Sequence, residues 1–203
     1  MAVFEKSYQA AKEFESSIKA AREAFRVAQK EILETYKEPI SGKKLAEARE
    51  VLFNVEQRET IRALDAVEGD FASVNEKIME IVTKAAPADF PATLAAIQAR
   101  GDMTAYEANA FFKKYGDNYM AISTLLEVLH ANKKYDSVHI TTADMIVETM
   151  KKLEASVVKW IRGRNGAPDD NYTSRLMTHE AHSPLLLTGA EVQNFLDGNF
   201  IRE

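Results

Sequence analysis

Glu127 and His130 form the first pattern that could support chemistry, because they are spaced as Glu-x-x-His in a segment predicted to be helical. This spacing places both side chains on one helix face, as in di-iron and di-manganese carboxylate bundles. Such a site needs two of these motifs and two further inward-facing glutamates, whereas the chain contains one motif. We therefore favour a solvated glutamate and a histidine near a helix C-terminus, and rank a di-metal helical-bundle enzyme third among the possible classes.

The second pattern is His179-Glu180-Ala181-His182, which resembles a zinc metalloprotease motif in composition. The zinc motif needs two histidines four residues apart on a helix, with the glutamate between them as the base. Here the histidines are three residues apart, the segment has little helical signal, and the match includes no third ligand. The favoured interpretation is a surface loop.

A group of basic residues could contact phosphate or nucleic acid. It comprises Lys151, Lys152, Lys159, Arg162 and Arg164, with Trp160 and Tyr172 nearby. Cations near a helix C-terminus are also favoured by the helix dipole and keep the outer face soluble. The chain has 26 Lys+Arg against 31 Asp+Glu, a net charge of −5, so there is no supporting positive field. Nucleic acid is not an expected partner, although the sequence leaves undecided whether the basic cluster Lys151–Arg164 contacts it.

The composition argues against several other classes of protein and kinds of site. The absence of cysteine excludes disulfide scaffolds, thiol nucleophiles and thiolate metal sites, and no Gly-rich phosphate loop or Gly-x-Ser-x-Gly motif occurs. Eight glycines and five prolines in 203 residues argue against an all-β fold. No run approaches the roughly 18 apolar residues that span a bilayer, and the charged N-terminus does not resemble a signal peptide. We expect no catalytic residue, cofactor, metal or membrane partner, and an intracellular location.

The secondary-structure elements of the chain are predicted to be helices, and the first of them is long. Residues 3–38 contain no glycine or proline, and their apolar residues follow the heptad spacing of a helix buried along a narrow seam: Phe4, Ala11, Phe14, Ile18, Ala21, Phe25, Ala28 and Ile32. Glu38–Gly42 contains Pro39 and is predicted to end this helix.

A second long helix is predicted over about residues 43–86. Its main seam is Leu64, Val67, Phe71, Val74, Ile78, Ile81 and Ala85, and an earlier seam in another register is Leu45, Ala48, Leu52 and Val55. Gln57, Glu59 and Thr60 separate the two seams, which indicates either a coiled-coil stutter or a bend. Two long helices joined by a short break predict an antiparallel hairpin with arms of about 50 Å.

We predict an all-α fold in three parts: a coiled-coil-like hairpin at 1–86, a compact helical body at 87–162, and an extended arm with a short terminal helix at 163–203. The body has helices at about 91–100, from Thr104 to Tyr115 with a capping box, from Asp117 or Asn118 onward, and from Thr142 to Arg162. Residues 163–187 show no periodicity and are predicted to be the arm. The terminal helix is predicted at Thr188–Asp197.

The segment Lys113–Ala121, which reads Lys-Lys-Tyr-Gly-Asp-Asn-Tyr-Met-Ala and runs into Leu125, resembles a segment of helical virion or assembly proteins of tailed bacteriophages and prophages. The long charged hairpin is similar to their scaffolding and core proteins. The resemblance implies a location in the virion or host cytoplasm, and partners that are further copies of the chain or other virion proteins. It includes no catalytic motif.

We therefore predict a non-enzymatic structural or assembly protein that self-associates or coats a larger body. The expected oligomer or partner interface comprises Phe14, Ile18, Phe25, Ile32, Leu185, Leu186, Leu187 and Phe195. An intracellular adaptor or regulator that binds a protein partner through its hairpin is the alternative. The partner, the stoichiometry, and whether the hairpin packs on its own C-terminal body stay open.

Overall fold

Helices dominate the computed structural model, which describes residues 3–100, 103–131, 139–164 and 184–202. The helices are α1 (Glu5–Thr35), α2 (Ile40–Thr83), α3 (Phe90–Arg100), α4 (Ala105–Tyr115), α5 (Tyr119–Ala131), α6 (Ala143–Arg164) and α7 (Pro184–Leu196). Two short strands, β1 (His139–Ile140) and β2 (Ile201–Arg202), form an antiparallel pair. The described residues are 85% helical and α1 packs against α2, so the predictions of an all-α fold and a helical hairpin are confirmed.

The two hairpin helices differ in length. α1 has 31 residues and α2 has 44, which correspond to about 46 Å and 66 Å. The prediction that α2 begins near residue 43 is wrong, because Ser41 and Gly42 already lie in its first turn. Pro39 directly precedes the first helical residue, where its missing N–H is not needed, so it starts α2 as well as ending the turn.

Polar residues lie in the buried part of the hairpin where the two predicted seams of α2 meet. Glu56, Glu59 and Thr60 are all buried. The Thr60 hydroxyl donates to the Glu56 carbonyl at 2.7 Å, and α2 continues through this region as one helix. The interruption of the apolar pattern therefore places charged groups on the inner face of α2.

The contacts divide the chain into two compact units that each combine distant parts of the sequence. The first contains residues up to 71 and residues 152–187, and the second contains residues 72–151 and residues from 188 onward, in both cases as far as they are described. This grouping differs from the linear division at residues 86 and 162. The reason is that three helices, α2, α6 and α7, contribute residues to both units.

The core of the first unit is built from α1, the N-terminal part of α2 and the C-terminal part of α6. Phe4 stacks on Phe71 with ring centroids 4.3 Å apart, and Phe14 meets Trp160 edge-on at 5.8 Å. Val67 and Ile161 are completely buried. α6 therefore supplies a third layer over the part of the hairpin that contains Phe14.

The second unit surrounds α5, whose inner face is Ile122, Leu125, Leu126 and Leu129. The capping box predicted at Thr104 is confirmed, because its hydroxyl accepts from the Glu107 N–H while the Glu107 carboxylate accepts from the Thr104 N–H. Asn118 caps α5 by accepting from the Ala121 N–H at 2.9 Å, and its amide donates to the Ala85 carbonyl.

The last helix begins earlier than predicted. α7 starts at Pro184, so the expectation that Leu185–Leu187 lie in an extended segment is wrong. Proline is favourable in the first turn of a helix, and this brings the three leucines into helical geometry. Beyond α7, Phe200 packs against Tyr119 and Phe195, and its carbonyl accepts from the Thr141 N–H at 2.7 Å. Most of the predicted arm, residues 165–183, lies outside the described residues.

Candidate interaction surface

The four interface residues predicted on α1 fall into two classes. Phe14 and Ile18 are buried, with 2% and 4% of their surfaces exposed, and Trp160 of the same chain contacts Phe14. Phe25 and Ile32 are half-buried. Phe14 and Ile18 are thus core residues of this chain, whereas Phe25 and Ile32 retain surface that a partner could cover.

The four residues predicted on the C-terminal segment divide in the same way. Leu185 and Phe195 are completely buried, Leu186 is half-buried, and Leu187 is exposed. Successive residues of a helix point in different directions, so a single turn of α7 contains both a core side chain and a solvent-exposed one. Leu185 and Phe195 are core residues, and only Leu186 and Leu187 remain as surface candidates.

The described residues of the candidate metal and phosphate patterns are not brought together into a larger binding site. Glu127 is exposed and His130 is half-buried, and within the described ranges no three His, Asp or Glu side chains are grouped as metal ligands would be. Lys151, Lys152, Lys159 and Arg162 are exposed on α6. His179, Glu180, His182 and Tyr172 lie outside the described residues, as does the side chain of Arg164.

At one end of the hairpin, a carboxylate of α2 is hydrogen-bonded to the start of α1. Asp70 of α2 accepts hydrogen bonds from both the N–H and the hydroxyl of Ser7, each at 2.8 Å. Ser7 is completely buried near the start of α1, where helical N–H groups lack partners of their own. The residue before α1, Phe4, has a φ of 64° and its side chain provides no cap. Asp70 therefore fills the capping role from the neighbouring helix.

The middle of the hairpin contains a charged band between α1 and α2. Arg22 donates to Glu56 at 2.8 Å, and Arg62 donates to Glu13 at 3.0 Å. Glu59 lies 2.9 Å from Arg58 and 3.7 Å from Arg62. Since the Glu56 side chain is only 11% exposed, its pairing with Arg22 matters more than an ordinary surface ion pair.

Past this band, towards the turn, large apolar side chains are exposed. The hairpin-end surface consists of Val27, Leu33, Tyr36, Ile40, Val51 and Phe53, all of which the structure leaves exposed. The heptad pattern does not predict them because none of them occupies a seam position. A search for large apolar residues outside the seams would have found them.

Two grooves follow the hairpin. One, of about 420 Å³, lies next to the hairpin-end surface and is lined by Glu31, Ile32, Thr35, Tyr36, Lys44, Glu47, Ala48 and Val51. The other, of about 270 Å³, lies in the charged band and is lined by Lys6, Gln9, Ala10, Glu13, Phe14, Glu59, Arg62, Ala63 and Ala66. Both are open clefts lined by charged as well as apolar side chains.

The perturbed carboxyl groups lie in the second unit and have structural partners. Hydrogen bonds from the Thr104 N–H, then the Arg100 guanidinium and the Thr104 hydroxyl, lower the pKa of Glu107 from 4.5 to about 2. Hydrogen bonds from Lys114 and then Tyr115 lower the pKa of Asp89, and the same carboxylate raises the pKa of Lys114. These shifts reflect a helix cap and an ion pair that join neighbouring helices.

In comparisons with known proteins, no family model, curated protein or solved structure matches the chain. Within the described ranges, no helix is both long enough and apolar enough to cross a bilayer.

Proposed function

We propose that this chain is a non-enzymatic structural or assembly protein that acts through helix–helix self-association, and that it serves in a phage virion or its assembly. One observation carries the proposal: six large apolar side chains remain exposed at the end of a hairpin whose opposite end is well packed. Large apolar side chains exposed in this number within one short stretch of chain support a role in binding another protein.

The phage assignment rests on a second observation, the resemblance carried by Lys113–Ala121. Within the structure this segment spans the end of α4 and the start of α5, and it includes the buried Tyr115 and Asn118. In this chain the segment is a capped helix–helix junction, so the resemblance supports an assembly role without assigning chemistry.

The direct test is the mass of the purified protein across concentration. Light scattering with size-exclusion chromatography should give a mass well above the 22.7 kDa of one chain as the concentration rises to about 200 μM, with association constants typical of modest interfaces. A mass of 22.7 kDa at every concentration would contradict self-association and favour the adaptor alternative. Genes for capsid, portal or terminase proteins beside the coding sequence would support the phage assignment, and a neighbourhood without them would contradict it.

A further inference from the structure

The basic residues of α6 lie on one face of a single continuous helix. This basic face comprises four exposed side chains: Lys151, Lys152, Lys159 and Arg162. Measured from Lys151 at 3.6 residues per turn, the other three lie at about 100°, about 80° and about 20° around the helix axis, in that order. Helical geometry alone therefore brings the four cations together, within an arc of about 100° and a length of about 16.5 Å.

Little negative charge accompanies the basic face along α6. Residues 151–164 contain five Lys or Arg and one acidic residue, Glu154. Glu154 is half-buried and lies about 60° beyond Lys151, on the side away from the other cations. Asp144 and Glu148 share the orientation of the basic face but lie nearer the start of α6, so the positive surface begins at Lys151.

The net charge of −5 argues against an anionic partner only over long distances. At physiological salt, exposed charges more than about 8 Å apart are largely screened from one another. An anion in contact with the basic face therefore responds chiefly to the side chains beside it. Among the described residues of the first unit, Arg22 and Arg62 have carboxylate partners at 2.8 Å and 3.0 Å, whereas Lys159 and Arg162 have none. These two cations keep their full charge for a partner.

The spacing of the cations suits a partner with closely spaced negative charges. Duplex DNA carries one phosphate charge per about 1.7 Å of its axis, so a length of about 16.5 Å corresponds to about ten phosphates. Ala155 is exposed inside the arc, at about 40° from Lys151, and its short side chain leaves room for a phosphate between the cations. Lysine and arginine are the side chains that contact phosphates without reading base sequence.

The surroundings of the basic face disfavour two other anionic partners. A helix that binds lipid inserts its apolar face into the membrane, but the apolar face of α6 is in the core of the chain, with Leu153, Val157 and Ile161 buried. Protein interfaces are depleted in lysine and enriched in aromatic residues. Three of the four cations are lysines, and Trp160, the one aromatic residue of α6, is buried.

We propose that the basic face of α6 binds the phosphate backbone of nucleic acid without regard to base sequence. The four cations each contact a phosphate and release the counterions condensed there, which makes the affinity strongly dependent on salt. This binding goes beyond the proposed self-association and does not depend on it, because it uses a different helix from the hairpin.

The first test measures fluorescence anisotropy of a labelled 20-base-pair duplex of mixed sequence. The wild-type chain should bind it at 50 mM NaCl with a Kd below about 100 μM, and log K should fall with log[NaCl] at a slope of about −3 to −4. A weaker Kd, or a slope near zero, would overturn the proposal. This measurement needs no variant, so it does not depend on the folding of one.

The second test replaces the cations of the basic face by glutamine, a good helix former. Lys151→Gln, Lys159→Gln and Arg162→Gln together should weaken duplex binding at least about tenfold and reduce the slope to about −1. The matched control is Lys37→Gln, Lys43→Gln and Arg49→Gln, which removes the same charge from exposed positions outside α6. The control should bind like the wild type. Equal losses in the two triple variants would assign the binding to net charge and refute a site on α6.

Competition separates nucleic acid from the other anionic partners. Unlabelled duplex should displace the labelled duplex at lower charge concentration than polyglutamate or phosphatidylserine vesicles, because its charges are more densely spaced than those of the polypeptide and α6 has no free apolar face for lipid. Stronger displacement by polyglutamate would identify an acidic protein as the partner, and stronger displacement by vesicles would identify a membrane surface. Either result would overturn the proposal and leave self-association untouched.

Discussion

Asp70 caps a helix to which it does not belong. Its carboxylate accepts from the N–H and the hydroxyl of Ser7 at the start of α1, 63 residues earlier in the chain. Close to this contact in the sequence, the ring of Phe4, the residue before α1, stacks on the ring of Phe71 of α2. A polar contact, Ser7–Asp70, and an apolar contact, Phe4–Phe71, thus lie together at the open end of the hairpin. Both depend on the register between α1 and α2.

Replacing Asp70 should therefore loosen the start of α1. Asp70→Ala removes both acceptor contacts and leaves the buried Ser7 polar groups without this partner, so we expect a loss of about 1–3 kcal/mol in the free energy of unfolding. Urea denaturation followed by circular dichroism measures the change. Asp65→Ala, at an exposed position on the same helix, should change the stability by no more than about 0.5 kcal/mol. Equal losses in the two variants would contradict the capping role.

The Arg22–Glu56 pair should contribute more than the surface pairs around it. A double-mutant cycle with Arg22→Ala and Glu56→Ala should give a coupling energy of about 1–2 kcal/mol, because the carboxylate is largely buried. The same cycle on Lys30 and Glu34, which are mostly exposed and 3.9 Å apart, should give about 0.3–0.5 kcal/mol. Similar coupling in both cycles would show that burial of Glu56 has no energetic consequence.

Two buried tyrosines should respond oppositely to loss of the hydroxyl. The Tyr115 hydroxyl donates to Asp89 at 3.0 Å and lies 3.0 Å from the Thr93 hydroxyl, so Tyr115→Phe should cost about 1–3 kcal/mol. Among the described residues, the Tyr8 hydroxyl is buried with no hydrogen-bond partner. Tyr8→Phe should therefore leave stability unchanged or raise it by up to about 1 kcal/mol. Thermal unfolding of the two variants is the measurement, and a larger loss for Tyr8→Phe would refute this interpretation.

Glu107 should make the second unit sensitive to acid. Its pKa is lowered from 4.5 to about 2, so the folded state favours the carboxylate. The stabilisation is fully present above about pH 4.5 and is lost as the pH falls towards 2, because the unfolded chain takes up the proton first. An NMR titration should find the Glu107 midpoint near 2. Arg100→Gln, which removes the hydrogen bond at 2.7 Å, should raise that midpoint towards 4.5, and an unchanged midpoint would exclude Arg100 as a cause.

The C-terminal residues should be essential for folding of the second unit. Phe200 is buried against Tyr119 and Phe195, so Phe200→Ala should cost about 3–5 kcal/mol. Leu187→Ala, at a position that is 58% exposed, should cost less than about 0.5 kcal/mol. Removal of residues 164–203 should likewise unfold this unit, although residues 87–162 are predicted from the sequence to be a compact body of their own. A second unit that stays folded after this truncation would contradict the expectation.

The sequence determined the helices and most of their ends by itself, because these depend on local physics. Heptad spacing, the absence of glycine and proline from residues 3–38, and the capping box at Thr104 act within a few residues of one another. The predicted starts of α2 and α7 differ from the observed ones for a local reason as well. Each helix begins at or next to a proline, Pro39 or Pro184, and proline is favoured at the start of a helix although it breaks the interior of one.

Only the tertiary structure decided which apolar residues are core and which are surface. Phe14 and Phe25 both belong to the predicted seam of α1, but α6 covers Phe14 through Trp160, while Phe25 keeps part of its surface. The capping of α1 by Asp70 and the burial of Phe200 against Tyr119 join residues 63 and 81 positions apart. Periodicity reports the face of a helix that is apolar, but coverage depends on distant segments of the chain, and no local pattern records where those segments pack.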